Sequence, residues 1–300
     1  MAAPLQASRP LVLAVDIGGS KIAVALVRGA EVVAQELAAT PAAAGPEAVV
    51  ATVGAAGRLL LAGSVTQPLA VGVACAGLVN QGRVRAMSPE LLPGWDDFPL
   101  AARLEAEFGL PVAVLNDAQA AAYGEWRHGA GRGRDSLLFM TVSTGVGGGL
   151  ILGGRLWQGA TGLAGHIGHV AGGELERLAS GTALARRAAE AEFAGFGARE
   201  VIAAADEGAG WALRLLVEAA DAVARALADV KVLVDPEVVV VGGGVGLNPG
   251  FRRAVVAAVE RGDEPSRVEV VAAVLGAAAG VVGAGSWATD DAASRRSPST

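Results

Sequence analysis

Cysteine is almost missing from this 300-residue chain. Cys75 stands alone, which excludes an intramolecular disulfide and any cysteine-built zinc cluster. Aromatic residues make up 4% and charged residues 18%, below the usual quarter. Much of the chain is therefore expected to be buried behind small aliphatic side chains. There is no basic block and the net charge is -6, which argues against a nucleic-acid or anionic-membrane partner. Residues 1–10 hold no apolar signal core and one basic residue, so secretion is not expected and the cytoplasm is the default location. No GxxxxGK[ST] loop occurs, and no glycine cluster has strict GxGxxG spacing. One uncharged run, residues 270–289, is long enough to span a bilayer and carries Gly276 and Gly280 at GxxxG spacing. Its Ala- and Gly-rich composition predicts a buried strand and helix instead.

What is abundant is small and apolar: hydrophobic residues reach 52%, mostly Ala, Val and Leu, and there are 43 glycines. Apolar runs at 11–19, 21–29 and 31–39 predict three strands, the first two as a hairpin. Helical spacing follows over 46–63, then a strand at 69–77, a helix at 99–109 and a strand at 112–116. A helix at 118–129 ends on glycine, and residues 136–156 read as a second strand–glycine turn–strand unit. Helical stretches at 174–193, 198–206 and 210–233 precede an apolar strand at 237–244. The same order of elements twice over predicts a duplicated α/β core with a cleft between its halves. The first lobe is expected to span residues 1–117, completed by residues near 284–290, and the second 118–284. Residues 1–9 and 290–300 read as disordered tails, the latter opening where the helix-forming run ends.

Three strands end in small-residue turns: DIGGSK (16–21), STGVGGG (143–149) and VGGGVG (241–246). Glycine there lets backbone N–H groups approach an anion closely. Together, with Asp16, Ser20 and Lys21 in one turn and Ser143 and Thr144 in another, they point to a nucleotide cradle. Asp16 reads either as a turn cap or as a carboxylate beside a Mg²⁺–phosphate group. Lys21 reads either as a surface lysine or as a point charge facing phosphates. Asn116-Asp117 falls between a strand and a helix start, where Asp117 is either an N-cap or a general base for a hydroxyl nucleophile.

Residues 166–169 spell His-Ile-Gly-His, a string familiar from enzymes that adenylate amino acids. That reading needs the string early in the chain and a Lys-Met-Ser-Lys-Ser loop downstream. Here it lies at mid-chain and no such loop exists.

DIGGSK, STGVGGG, VVGGGVG, LNDAQAAAYGEW, SPELLPGW (88–95), GATGLAGHIGHV and LERLASG, in their places along the chain, resemble the ROK family of sugar kinases. The resemblance runs from about residue 11 to 288. It implies a two-lobed α/β, actin/hexokinase-like (ribonuclease H-like) ATPase fold with a central cleft, closing on ATP, Mg²⁺ and a hexose. It implies phosphate contacts from Asp16, Gly18, Gly19, Ser20, Lys21, Ser143, Thr144, Gly145, Gly147, Gly242, Gly243 and Gly244, with Mg²⁺ near Asp16. Asp117 inherits the role of catalytic base, and Gly77, Asn116, Asp117, Gly162, His166 and His169 that of sugar contacts. Glu90 stands where the family usually has Asn. His166 stands where it usually has Glu, and a neutral imidazole accepts one hydrogen bond and donates one where a carboxylate only accepts. The Gly-His-Ile-Gly-His motif with Asn-Asp-Ala-Gln resembles the bacterial N-acetylmannosamine kinases within the family, so phosphorylation of that sugar's 6-hydroxyl is expected ahead of glucose or N-acetylglucosamine. The cysteines that hold zinc with the second histidine in many members are missing after His169, so no structural zinc is expected. The family implies a homodimer; its sugar-responsive repressors carry a DNA-binding domain ahead of the sugar domain, and only about ten residues precede the first strand here.

Overall fold

The computed structural model describes residues 9–87 and 92–296. They form two compact units, residues 1–128 with 277–300, and residues 129–276.

The first unit opens with β1 (Val12–Ile17), β2 (Lys21–Arg28) and β3 (Glu31–Ala39). Then come α1 (Pro46–Ala62), β4 (Val71–Cys75) and a ribbon of β5 (Leu78–Asn80) and β6 (Arg83–Arg85). α2 (Leu100–Phe108), β7 (Val112–Asn116) and α3 (Asp117–His128) complete the run. The sheet order is β3-β2-β1-β4-β7. β1 to β3 pair antiparallel, and β4 and β7 lie parallel to β1. β4 and β7 are buried at every position, as expected where helices cover both faces of a parallel sheet. β3 instead alternates exposed and half-buried residues, which suits an edge strand.

The second unit repeats the pattern. β8 (Leu137–Val142), β9 (Val146–Ile151) and β10 (Leu156–Trp157) form an antiparallel set. Then come α4 (Val170–Ala179), α5 (Gly181–Glu190), α6 (Ala198–Asp206) and α7 (Gly210–Val234). β11 (Val238–Gly242), α8 (Pro249–Glu260) and β12 (Glu269–Ala272) follow, giving the order β10-β9-β8-β11-β12. The expected helix over 174–193 is two helices, because Ser180 caps α5 by accepting from the Ala183 N–H at 3.0 Å. The first turn of α4 is broken by left-handed backbone at Ala171, Gly172 and Gly173.

The abundance of alanine is explained by helix packing. Along α7, Ala212, Ala219, Ala220, Ala222 and Ala226 are buried beside Leu215, Leu216, Val223 and Leu227. Each buried Val or Leu contributes about 1.5–3 kcal/mol, and the alanines let α7 approach α4, α6 and α8 closely.

The uncharged run at 270–289 resolves into β12, a short 3₁₀ turn and the start of α9 (Ala279–Arg296). No helix is long and apolar enough to cross a membrane among the described residues. Two boundaries differ from expectation. The first unit runs through His128 because α3 packs on α9: a Cβ at Gly124 would sit 2.8 Å from the Ala279 carbonyl and at Gly283 would overlap the Ala120 carbonyl. The chain after residue 290 is helical as far as Arg296, because Asp290 pairs with Arg127 at 2.5 Å and with the Tyr123 hydroxyl. Residues 1–8, 88–91 and 297–300, and with them the Glu90 position, lie outside the described residues.

Candidate functional site

In the first unit the strand register gathers the acids. β1, β4 and β7 run parallel, and Ile17 pairs with Cys75, which pairs with Asn116. Their carboxyl ends therefore place Asp16, Cys75 and Asn116-Asp117 side by side, the usual place for ligands in an open α/β sheet. The Gly18–Lys21 turn is closed by Gly18 N–H donating to the Lys21 carbonyl at 3.0 Å. Thr40 ties it down by donating its hydroxyl to the Gly18 carbonyl at 2.7 Å. Asp16, Gly18, Ser20 and Lys21 line one cavity of about 550 Å³, whose far wall comes from β2, β3 and the short 3₁₀ turn before α9. Gly19 caps the turn with open space above it.

Burial pushes the Asp16 carboxyl up to about 6, the negative charge of Asp117 adds to the rise, and Lys21 opposes it. The Cys75 thiol is raised as well, by burial first and then by Asp117 and Asp16. Two acids thus share a dry corner with a single lysine. Gly280 makes room for this: a Cβ there would overlap the Asp16 carboxylate.

Asn116, not Asp117, caps α3. Its Oδ1 accepts from the Ala118 N–H at 2.9 Å and from the Gln119 N–H at 3.2 Å, the second and third residues of the helix. Its Nδ2 donates to the Gly77 carbonyl at 2.9 Å, which fixes the loop after β4. Asp117 is the first residue of α3, and its Oδ1 also accepts from the Ala118 N–H at 2.9 Å. With the cap supplied by its neighbour, Asp117 is not required for that structural role.

The second unit presents no acid at the matching strand ends. The β8–β9 turn holds Ser143, Thr144 and Gly145, closed by Ser143 N–H donating to the Gly145 carbonyl at 2.9 Å. Gly181 and Thr182, at the start of α5, donate backbone N–H groups to the Ser143 and Thr144 carbonyls at 2.7 and 3.2 Å. The turn after β11 folds back onto the same strand: Val245 and Gly246 N–H groups both donate to the Val142 carbonyl at 3.0 Å. Gly243 sits there at φ 84° with no room for a Cβ beside Val142, whereas Gly244 faces open space. Ser143, Thr144 and Gly244 line a cavity of about 700 Å³ with Thr182 and Asn248. Gly147 and Gly242, also expected to contact the nucleotide, do not line this cavity. Gly147 lies inside β9 opposite Thr141, and Gly242 ends β11 opposite the same residue, its α-carbon against the Phe139 ring.

His166 and His169 flank a single 3₁₀ turn, their rings 6.5 Å apart. His166 Nδ1 lies 3.0 Å from the Leu163 carbonyl, which can only accept, so Nδ1 carries the proton and Nε2 of the neutral ring is the acceptor. The donor capacity that distinguishes imidazole from carboxylate is thus turned inward. Both histidines border a cavity of about 300 Å³ that is otherwise aliphatic, from Leu138, Leu150, Val230 and Leu233. Gly162 is buried at φ 86° in the loop before them. Among the described residues no three His, Cys, Asp or Glu side chains converge as a metal site.

One residue of this region, Glu176, holds a place that its sequence position does not show. Glu176 Oε2 accepts from the Val146 N–H at 3.0 Å, and the same oxygen would stand 3.2 Å from a Cβ at Gly145 and 3.1 Å from one at Gly168. A single carboxylate is wedged between the phosphate-type turn and the histidine motif. The one available signal was its place in LERLASG, just after that motif.

The ROK family profile matches residues 12–291. The bifunctional enzyme NanE/NanK of Brucella melitensis is 45% identical over 278 residues, covering 91% of this chain and 52% of that protein. The chain thus spans about half the length of that relative. The N-acetylmannosamine kinase of Salmonella typhi is 39% identical, covering 93% of this chain and 98% of the other. Among solved structures, a ROK family glucokinase from Streptomyces griseus in complex with glucose and AMPPNP superposes with a TM-score of 0.77 at 33% identity, covering 93% of this chain and 99% of that one. With the profile matched along nearly its whole length, the chain belongs to the ROK family.

Proposed function

We propose that the chain is an ATP-dependent hexose kinase that phosphorylates the 6-hydroxyl of N-acetylmannosamine, with Asp117 as the general base. The observation that carries this reading is the division of labour at the start of α3. Asn116 caps the helix and clamps the Gly77 loop, while the carboxylate of Asp117 stands at the strand ends beside Asp16. A base in that place takes the proton of the attacking hydroxyl. The glycine turns of the second unit offer backbone N–H groups and hydroxyls to phosphate oxygens, and such fixed dipoles stabilise charge without reorganising. The AMPPNP-bound glucokinase supports a nucleoside triphosphate as donor.

Asp16 fits a role toward Mg²⁺. Its carboxyl is raised by burial and by the charge of Asp117, with only Lys21 in opposition, so the pair gains from a divalent cation. The cation would neutralise phosphate charge when bound. Asp16 and Lys21 orient and balance that charge from the protein side.

The 39% match to a protein named N-acetylmannosamine kinase, along 98% of its length, supports that sugar. Glucose is the second reading, supported by the glucose-bound Streptomyces glucokinase. A coupled assay with ATP and N-acetylmannosamine, glucose, N-acetylglucosamine or fructose decides. The highest kcat/KM is expected for N-acetylmannosamine. Equal low rates on all four would remove the specificity, and no turnover with any would remove the kinase.

A further inference from the structure

The cavity of about 700 Å³ in the second unit is polar at its turns, and elsewhere Ala185, Ala198 and Ile202 line it with two arginines, Arg186 and Arg199. Arg199 is an exposed residue of that wall. It is the second residue of α6, where the positive end of the helix dipole disfavours a cation by about 0.3–1 kcal/mol. The start of α6 is already served by Glu200, whose carboxylate accepts from the Gly197 N–H at 2.9 Å. Neighbouring arginines are engaged: Arg186 with Glu190 at 2.5 Å and with the Arg177 carbonyl at 3.2 Å, and Arg253 with Asp206 at 2.9 Å. Arg199 makes no ion pair or hydrogen bond among the described residues.

A planar cation that helps neither its helix nor a neighbouring acid, set among aliphatic side chains on a cavity wall, suits the face of a flat ring. Guanidinium groups stack on such rings and are weakly hydrated, so little is lost on covering them. We propose that Arg199 grips the base of the nucleotide donor by stacking on it, and so sets a preference for purine over pyrimidine nucleotides. The inference rests on the kinase reading above for the identity of the ligand. A phosphate-binding role would need the charge alone; a stacking role needs the plane, and it rewards the larger ring.

Calorimetry of ADP and UDP binding to the full chain, to Arg199→Ala and to Arg199→Lys tests this, with steady-state kinetics alongside. Arg199→Ala is expected to weaken ADP about tenfold and UDP less than threefold, leaving the sugar KM and kcat at saturating ATP within twofold. Arg199→Lys keeps the charge without the plane, so it is expected to recover little, and its thermal midpoint reports folding independently. Equal weakening of both nucleotides, fading at high salt and restored by lysine, would overturn the proposal in favour of a phosphate contact. Unchanged affinities in both variants would overturn it outright. A wild type that binds neither nucleotide would sink both this inference and the kinase reading. Selective ADP binding without sugar turnover would support Arg199 while removing the kinase.

Discussion

The two units share one strand order, β3-β2-β1-β4-β7 in the first and β10-β9-β8-β11-β12 in the second, yet their strand ends carry opposite chemistry. The ends of β1 and β7 bear Asp16 and Asp117, buried enough that one raises the other. In the second unit β8 and β12 hold the places of β1 and β7: β8 ends at Ser143 and Thr144, β12 at Ala272 and Ala273, and β11 between them at Gly243 and Gly244, with no ionisable side chain at any of the three. A repeated scaffold has been given acids at the strand ends of one unit and uncharged turns at those of the other, with Arg186 and Arg199 farther along the cavity wall. The fold supplies positions, and the side chains placed there decide what each half can do.

The largest expected effect tests whether the acidic half does the chemistry. Asp117→Ala should lower kcat by about 10²–10⁴, the range of a lost general base, while sugar and ADP affinities by calorimetry stay within threefold. Retained turnover within tenfold of wild type would remove Asp117 from the reaction. Next comes Gly280→Ala, which touches no ligand but forces the Asp16 carboxylate aside. A displacement near 1 Å at such a site costs on the order of 10²-fold in rate. Gly285→Ala on the same helix meets Val27 and Ala14 at ordinary distances of 3.4–3.7 Å and serves as the control. Equal rates in the two variants would show that the position of Asp16 is not critical.

In the neutral half, two adjacent glycines separate scaffold from site. Gly243→Ala strains a left-handed residue pressed on the Val142 carbonyl, and should destabilise the second unit by about 1–3 kcal/mol in urea unfolding. Gly244→Ala adds a methyl to open space lining the cavity, and should leave stability unchanged while raising the ATP KM several-fold. The same response from both would mean that the turn is only a turn.

Both halves were legible wherever the signal was local. The hairpins of β1–β2 and β8–β9 announce themselves as apolar runs around glycine turns, and β4, β7 and β11 as short Val-rich runs. What stayed hidden depended on partners distant in sequence. Glu176 meets Val146 across 30 residues, and the helical turn near Asp290 is held by Arg127 across 163. The residues alone leave Asp117 as either the cap of α3 or a base, because Asn and Asp are equally good caps by composition; the hydrogen bonds give the cap to Asn116. α8 went unread although Asn248 followed by Pro249 is a regular helix opening: the Asn248 side chain accepts from the Gly250 N–H at 2.9 Å.

The smallest expected effect concerns the histidine motif of the neutral half, and it follows from a proton's position. Imidazole in place of glutamate at residue 166 looks like a change from acceptor to mixed donor and acceptor. The Leu163 carbonyl, 3.0 Å from Nδ1, claims one donor, so in its neutral form the ring keeps the acceptor function of a carboxylate without the charge. A neutral acceptor costs less to leave against the acyl group of an N-acylated sugar, whereas a charged one is stabilised most by a hydroxyl donor. His166→Glu should therefore move the ratio of kcat/KM for N-acetylmannosamine over glucose toward glucose, by about tenfold, the worth of one hydrogen bond. His166→Gln, neutral with both functions, should fall between them. If glutamate leaves the ratio within twofold, the charge at residue 166 does not select the sugar. Selection would then have to come from the acidic half, and the division of labour between the two strand-end sets would be more lopsided than their shared topology suggests.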